Sequence, residues 1–149
     1  QETKWPGRFE TIWSSPQIIY DCAHNGSGIK SFVSVCSSFI RQKTFNKKHL
    51  ICGFEKNKNI IKELKILESF FDTIICTETQ TRHSMPCSTL AKLFDSPKAT
   101  YNKNIKKALL NLKEKTNQRD LICIIGSHFF APHIRQTINK KFANQQKEY

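Results

Sequence analysis

The residues with most chemical content stand in Asp21-Cys22-Ala23-His24-Asn25, followed at once by Gly26-Ser27-Gly28-Ile29-Lys30-Ser31. Within five positions they offer a carboxylate acceptor, a titratable imidazole and an amide suited to shaping a turn. The glycines and lysine that follow look like a phosphate loop. A Walker loop needs lysine directly after its second glycine, and here Ile29 intervenes and the leading glycine is missing. A dinucleotide loop needs a third glycine where Ser31 stands. What remains is an apolar run ending in Asp21, a tight turn, and a helix opening near Ser27. Free amide groups and a positive dipole end suit an anion there. Asn25 or Ser27 equally suits an ordinary N-cap. Lys30 is then expected on the surface of the first helix.

The elements that must position these residues alternate. Apolar runs at Gln17–Asp21, His49–Gly53, Asp72–Thr77 and Asp120–Gly126 read as strands, and Ala99–Tyr101 as a small fifth. Between them apolar residues fall at helical spacing: Ile29, Phe32, Val33, Cys36 and Ile40; then Ile60, Ile61, Leu64, Leu67 and Phe71. Pro86 opens a shorter helix through Leu90, Leu93 and Phe94. Asn102 is the expected N-cap of a helix with Ile105, Ala108, Leu109 and Leu112 on one face. A last helix carries Ala131, Ile134, Ile138 and Phe142, and the polar tail from Asn144 is expected to fray. Strands apolar on both faces, alternating with helices, predict an open, mostly parallel Rossmann-like α/β sheet covered on each side. Ligands of such sheets bind beyond the carboxyl ends of the strands. Those ends are Asp21–Asn25, Gly53–Asn59, Thr77–Ser84 and Gly126–Ser127.

At 149 residues the chain fits one domain with one core. No run reaches the ~18 apolar residues of a membrane span, and QETKWPGRF has no signal-peptide pattern. Six cysteines at 22, 36, 52, 76, 87 and 123 form no C-x-x-C pair, which argues against zinc and thioredoxin chemistry. Read as reduced, buried hydrophobes, they place the protein in the cytoplasm. His83, His128 and His133 have no spacing that demands a metal. The net charge of +12 is compatible with a polyanion, but the lysines are spread over several helices, as on a solvated surface.

Several motifs then combine in order: WPGRFE (5–10), IIYDCAHN (18–25), ICGFEKNKN (51–59), FDTIICTETQTRHSMP (71–86) and DLICIIGSHFF (120–130). Together they resemble the C-terminal domain of folylpolyglutamate synthase/dihydrofolate synthase, a branch of the Mur ligase superfamily. That pattern runs PGR-[FL]-E, D-x-A-H-N-P, G-x-x-x-D-K-D, a loop arginine and a strand ending in G-S. The resemblance covers almost the whole chain as a single domain, 1–149, of the Mur ligase C-terminal type. It departs at Gly26, where the family has proline, and at Asn57-Lys58-Asn59, where it has D-K-D. The family's phosphate-gripping loop, its magnesium ligands and most of its folate pocket lie in a central domain that these residues do not match.

The resemblance implies amide ligation with ATP and Mg2+. A carboxylate of dihydropteroate or of a folate glutamate is phosphorylated, and the amine of L-glutamate displaces phosphate. It implies nucleotide contacts for Arg8, Asp21 and Asn25: Arg8 on adenine or phosphate, Asp21 on the ribose hydroxyls. It makes His24 the catalytic histidine facing the phosphates, a donor to developing negative charge. Lys58, Arg82 and Ser127 become contacts to glutamate or phosphate. Read on their residues alone, Asp21 is a cap or dipole partner, His24 a structural histidine, Asn25 a turn former, Lys58 one more solvated lysine and Ser127 a plain N-cap. Three other functions compete: a Mur-type peptidoglycan ligase piece, a catalytically degenerate scaffold domain, and a basic nucleic-acid-binding module, the last resting on charge without any recognition motif.

Overall fold

The computed structural model describes residues 5–142, so the tail from Asn144 lies outside the described residues. Six strands form one sheet: β1 (Glu10–Ser14), β2 (Gln17–Asp21), β3 (Lys48–Cys52), β4 (Thr73–Cys76), β5 (Ala99–Tyr101) and β6 (Leu121–Ile125). Their order is β1-β2-β6-β3-β4-β5. Strands β2 to β6 are parallel, and β1 alone runs antiparallel, against β2. The sequence reading missed β1. Its residues are half-buried or exposed, as on a sheet edge, and carry no apolar run.

Five α-helices connect or follow the strands: α1 (Gly26–Gln42), α2 (Ile61–Phe70), α3 (Cys87–Leu93), α4 (Ile105–Lys115) and α5 (Phe130–Thr137). A π-helical turn at Ile138–Phe142 extends α5, where a single regular helix was expected. The cap of α4 is Asn104, not Asn102. Asn104 Oδ1 accepts from the Lys107 amide, while Asn102 Oδ1 accepts from Asn104 N and shapes the approach. Two asparagines with the same chemistry stand two residues apart, and only the fold decides between them. Ile61, expected on the buried face of α2, is 55% exposed. Ile60, just ahead of the first turn, fills the core place instead and is buried.

Strands β3, β4 and β5 are laid outward in succession, with α1, α2 and α3 on one face of the sheet. Their apolar sides meet Ile19, Leu50, Cys52, Ile74, Leu121, Cys123 and Ile125 in one core. The chain then turns back. Strand β6 inserts between β2 and β3, and α4 and α5 cover the opposite face against Ile18, Tyr20, Ile51, Ile122 and Ile124. A reversal of direction carries the crossover to the other face because such connections are right-handed. Every residue of β6 is fully buried, alternating between the two cores. At roughly 1.5–3 kcal/mol for each buried Leu or Ile, this strand anchors both layers. The reversal also opens a crevice at the carboxyl end of β6, between helices that leave on opposite faces.

Candidate functional site

Three loops converge on that crevice. They follow β2, β3 and β6 and together line a pocket of about 210 Å³ with His24, Glu55, Lys58, Gly126, Ser127, His128 and Phe129. Glycines let the loops approach. A Cβ on Gly126 would lie 1.8 Å from the Gly53 carbonyl oxygen, and its φ of +123° is hard for any other residue. A Cβ on Gly53 would in turn meet the Thr77 carbonyl at 2.7 Å. The strand ends at the pocket floor therefore touch backbone to backbone.

His24 is exposed, and its Nδ1 lies 3.0 Å from the Cys22 carbonyl. A carbonyl only accepts, so Nδ1 carries the hydrogen. In the neutral ring Nε2 is then an acceptor, and only the imidazolium donates to an anion. Lys58, half-buried, supplies a second cation from the β3 loop, and Glu55 the one carboxylate of the lining. Ser127 is buried. Its hydroxyl oxygen accepts from the Phe129 amide at 3.1 Å, and its carbonyl accepts from the Tyr20 hydroxyl at 2.7 Å. The cap reading of Ser127 thus holds in part, one turn ahead of α5, and its hydroxyl hydrogen remains to be donated. Burial pushes the Tyr20 phenol far above its usual range, so it stays a donor.

The other nucleotide candidates are assembled differently. The turn 5–9 is clamped on the β2 loop: Cys22 N donates to Gly7 O at 2.7 Å, and Phe9 N donates to Asp21 Oδ2 at 3.0 Å. Gly7 and Phe9 both have positive φ, 76° and 42°. Asp21 holds this strained turn, since a phenylalanine in the left-handed region needs its surroundings to keep it there. The second Asp21 oxygen accepts from Ala23 N at 2.8 Å. Between the two left-handed residues Arg8 is displayed to solvent, with no partner for its guanidinium among the described residues. Glu10 secures the turn from the other side, accepting from Arg135 at 2.7 Å. Asn25 is the N-cap of α1, taking Gly28 N at 2.9 Å and the Ser27 hydroxyl at 3.2 Å.

Of the seven expected residues, His24, Lys58 and Ser127 share the pocket. Arg8, Asp21 and Asn25 lie along its β2 side without lining it. Arg82 stands apart in the loop after β4, exposed, its Nε donating to His83 at 3.3 Å. That loop is nonetheless tied to the pocket through an antiparallel bridge between Ser84 and Glu55. Glu55, His128 and Phe129 were missed by sequence reasoning. Phe129 is 48% exposed, with its ring 4.2 Å from that of His128. The only signal in sequence was position, at the ends of apolar runs.

An open, mostly parallel sheet covered by helices, with a pocket at the reversal point, defines a doubly wound α/β domain. The chain belongs to the Mur ligase, glutamate ligase domain family, which it matches over residues 7–128. It is 30% identical over 143 residues to a dihydrofolate synthase/folylpolyglutamate synthase of Buchnera aphidicola subsp. Baizongia pistaciae, covering 96% of this chain and 32% of that protein. The fold matches the crystal structure of a bifunctional folylpolyglutamate synthase/dihydrofolate synthase from Yersinia pestis, complexed with AMPPNP and Mn ion. The TM-score is 0.81 at 22% identity, over 93% of this chain and 32% of that one. E. coli FolC in complex with ADP matches equally, at 0.81 and 19% identity, covering 93% and 33%. The chain thus spans about a third of the length of that Buchnera relative.

Proposed function

We propose that this chain is the C-terminal domain of an ATP-dependent ligase that adds L-glutamate to dihydropteroate or to folates through an acyl phosphate. The observation that carries this is the charge pattern of the pocket. Lys58 offers a cation, His24 an imidazole, Glu55 one carboxylate, and Ser127 a hydroxyl donor. L-glutamate presents two carboxylates and one amine, the complementary set. The carboxylates take Lys58, His24 and Ser127; Glu55 orients the amine. The amine nitrogen bonds to the acyl carbon, the carbon–oxygen bond to phosphate breaks, and the amine sheds a proton. A cationic His24 stabilises charge developing on the departing phosphate.

ATP supplies the phosphoryl group that activates the carboxylate. The residues on the β2 side suit a nucleotide. Arg8 presents an unspent guanidinium, and each Asp21 oxygen keeps a second lone pair for a ribose hydroxyl. Among the described residues no group of three His, Cys, Asp or Glu is placed to hold a metal, and magnesium would come to such a site on the nucleotide phosphates. Residues 1–149 contain no G-x-x-x-x-G-K-[ST] loop, so in this reading the triphosphate grip comes from a separate central domain. The six cysteines are all free thiols, which supports a reducing, cytoplasmic setting. No helix among the described residues is long and apolar enough to cross a membrane.

The test is to supply a central domain carrying the phosphate loop and follow ADP release. Turnover is expected only when folate or dihydropteroate, L-glutamate and both domains are present. Turnover by this chain alone, or turnover indifferent to L-glutamate, overturns the proposal.

A further inference from the structure

The start of α1 is the natural place for a ligand anion, yet it is already taken. Glu63, in the first turn of α2, is buried, with its side chain 10% exposed. Its carboxylate lies against Gly26, the first residue of α1, so that a Cβ there would stand 2.8 Å from Oε1 and 3.1 Å from Cδ. Among the described residues its ion-pair partner is Lys30, one turn further along α1 and 3.8 Å away. A buried carboxylate needs compensation. Here the positive end of α1 and Lys30 both provide it.

The two helices joined by this contact are those that leave two of the pocket loops. Helix α1 follows the turn with His24, and α2 follows the loop with Glu55 and Lys58. We infer that Glu63 is a positioning residue: its carboxylate is the resident anion of α1 and locks the His24 turn to the Glu55–Lys58 loop, and Gly26 is present because that carboxylate needs the space. This deepens the reading of the pocket and rests on it only for what the pocket holds. With Glu63 in place, anions inside the pocket are left to His24, Lys58 and Ser127.

A carboxylate at the end of a side chain can swing away, so Gly26→Ala acts by unseating Glu63 more than by overlap. Gly26→Ala and Glu63→Ala should then report the same loss. Each is expected to lower Tm of the chain by roughly 3 °C, and the double variant by about the same, not by the sum. Amide NMR shifts should move together in Ala23–Gly28 and in Glu55–Lys58. Shortening the acid gives it room beside alanine, so Gly26→Ala with Glu63→Asp should return both loops toward their native shifts. Additive Tm losses, shifts confined to α1, or no recovery with Glu63→Asp overturn the inference. A merely structural Glu63 would lower Tm without moving the two loops in concert. No nucleotide or amino acid enters these measurements, so their failure and that of the ligase reading are distinguishable.

Discussion

At the amino edge of the sheet His49 is buried and both ring nitrogens are engaged. At the carboxyl edge His24 is exposed and one is free. His49 Nε2 donates to Asp120 Oδ2 at 3.0 Å, and its Nδ1 lies 2.6 Å from the Thr73 hydroxyl, which donates to it in the neutral ring. Asp120 also accepts from Lys47 N at 3.2 Å and Asn117 N at 3.1 Å. These bonds tie the starts of β3, β4 and β6 together, and each polar atom in them is satisfied. At the other edge Nε2 of His24, the Ser127 hydroxyl hydrogen and the Arg8 guanidinium keep bonding capacity unspent. Both edges combine imidazole with carboxylate, so residue type does not separate structural from functional sites. Saturation does: a closed network has nothing left to offer a ligand.

Asp120→Ala should therefore be the most damaging change for folding. It strands a buried imidazole and two backbone amides, and should cost about 3–5 kcal/mol, read as a fall in the urea midpoint at unchanged slope. A loss under about 1 kcal/mol would mean that the amino-edge network is no more structural than the pocket. His24→Ala should show the opposite profile. With a central domain supplied, as the proposed function requires, kcat should fall about 10²–10³-fold, with stability of the chain changed by no more than ~0.5 kcal/mol. Loss of stability without loss of turnover would erase the contrast between the edges.

Much of this division was legible before the fold was seen, for a physical reason. Strands covered on both faces carry apolar runs, here residues 18–20, 50–52, 74–76 and 121–125 of β2, β3, β4 and β6, so the parallel sheet and its carboxyl edge followed from pattern. Strand β1 did not, because an edge strand packed on one side needs no such run. His24, Lys58 and Ser127 stand at strand ends in motifs that resemble a known family, and they meet in one pocket. Glu55 stands in one of the same motifs, yet only the folded loops show that it shares the pocket with them. Asp21 offered a ribose acceptor by type. That it also restrains Phe9 depends on a left-handed backbone twelve residues away, which no local pattern encodes. Arg82 matched by position in its loop, and position alone did not carry it to the pocket.

The smallest expected effect concerns acid, and it too separates the edges. Burial pushes the Asp120 carboxyl up, but the hydrogen bonds from His49 and from the Asn117 and Lys47 amides outweigh it and hold the group below its usual carboxylate range. The unfolded chain therefore binds this proton more readily than the folded one. The resulting stability is fully present above the ordinary aspartate range, near pH ~4, and drains away as pH falls through the lower folded value. In Asp120→Asn that component is absent, so as pH falls below about 4 its stability should fall less steeply than that of the native chain, although it starts lower. Parallel acid limbs for the two would show that Asp120 titrates as an ordinary surface carboxylate. The amino edge would then be as open to solvent as the pocket opposite.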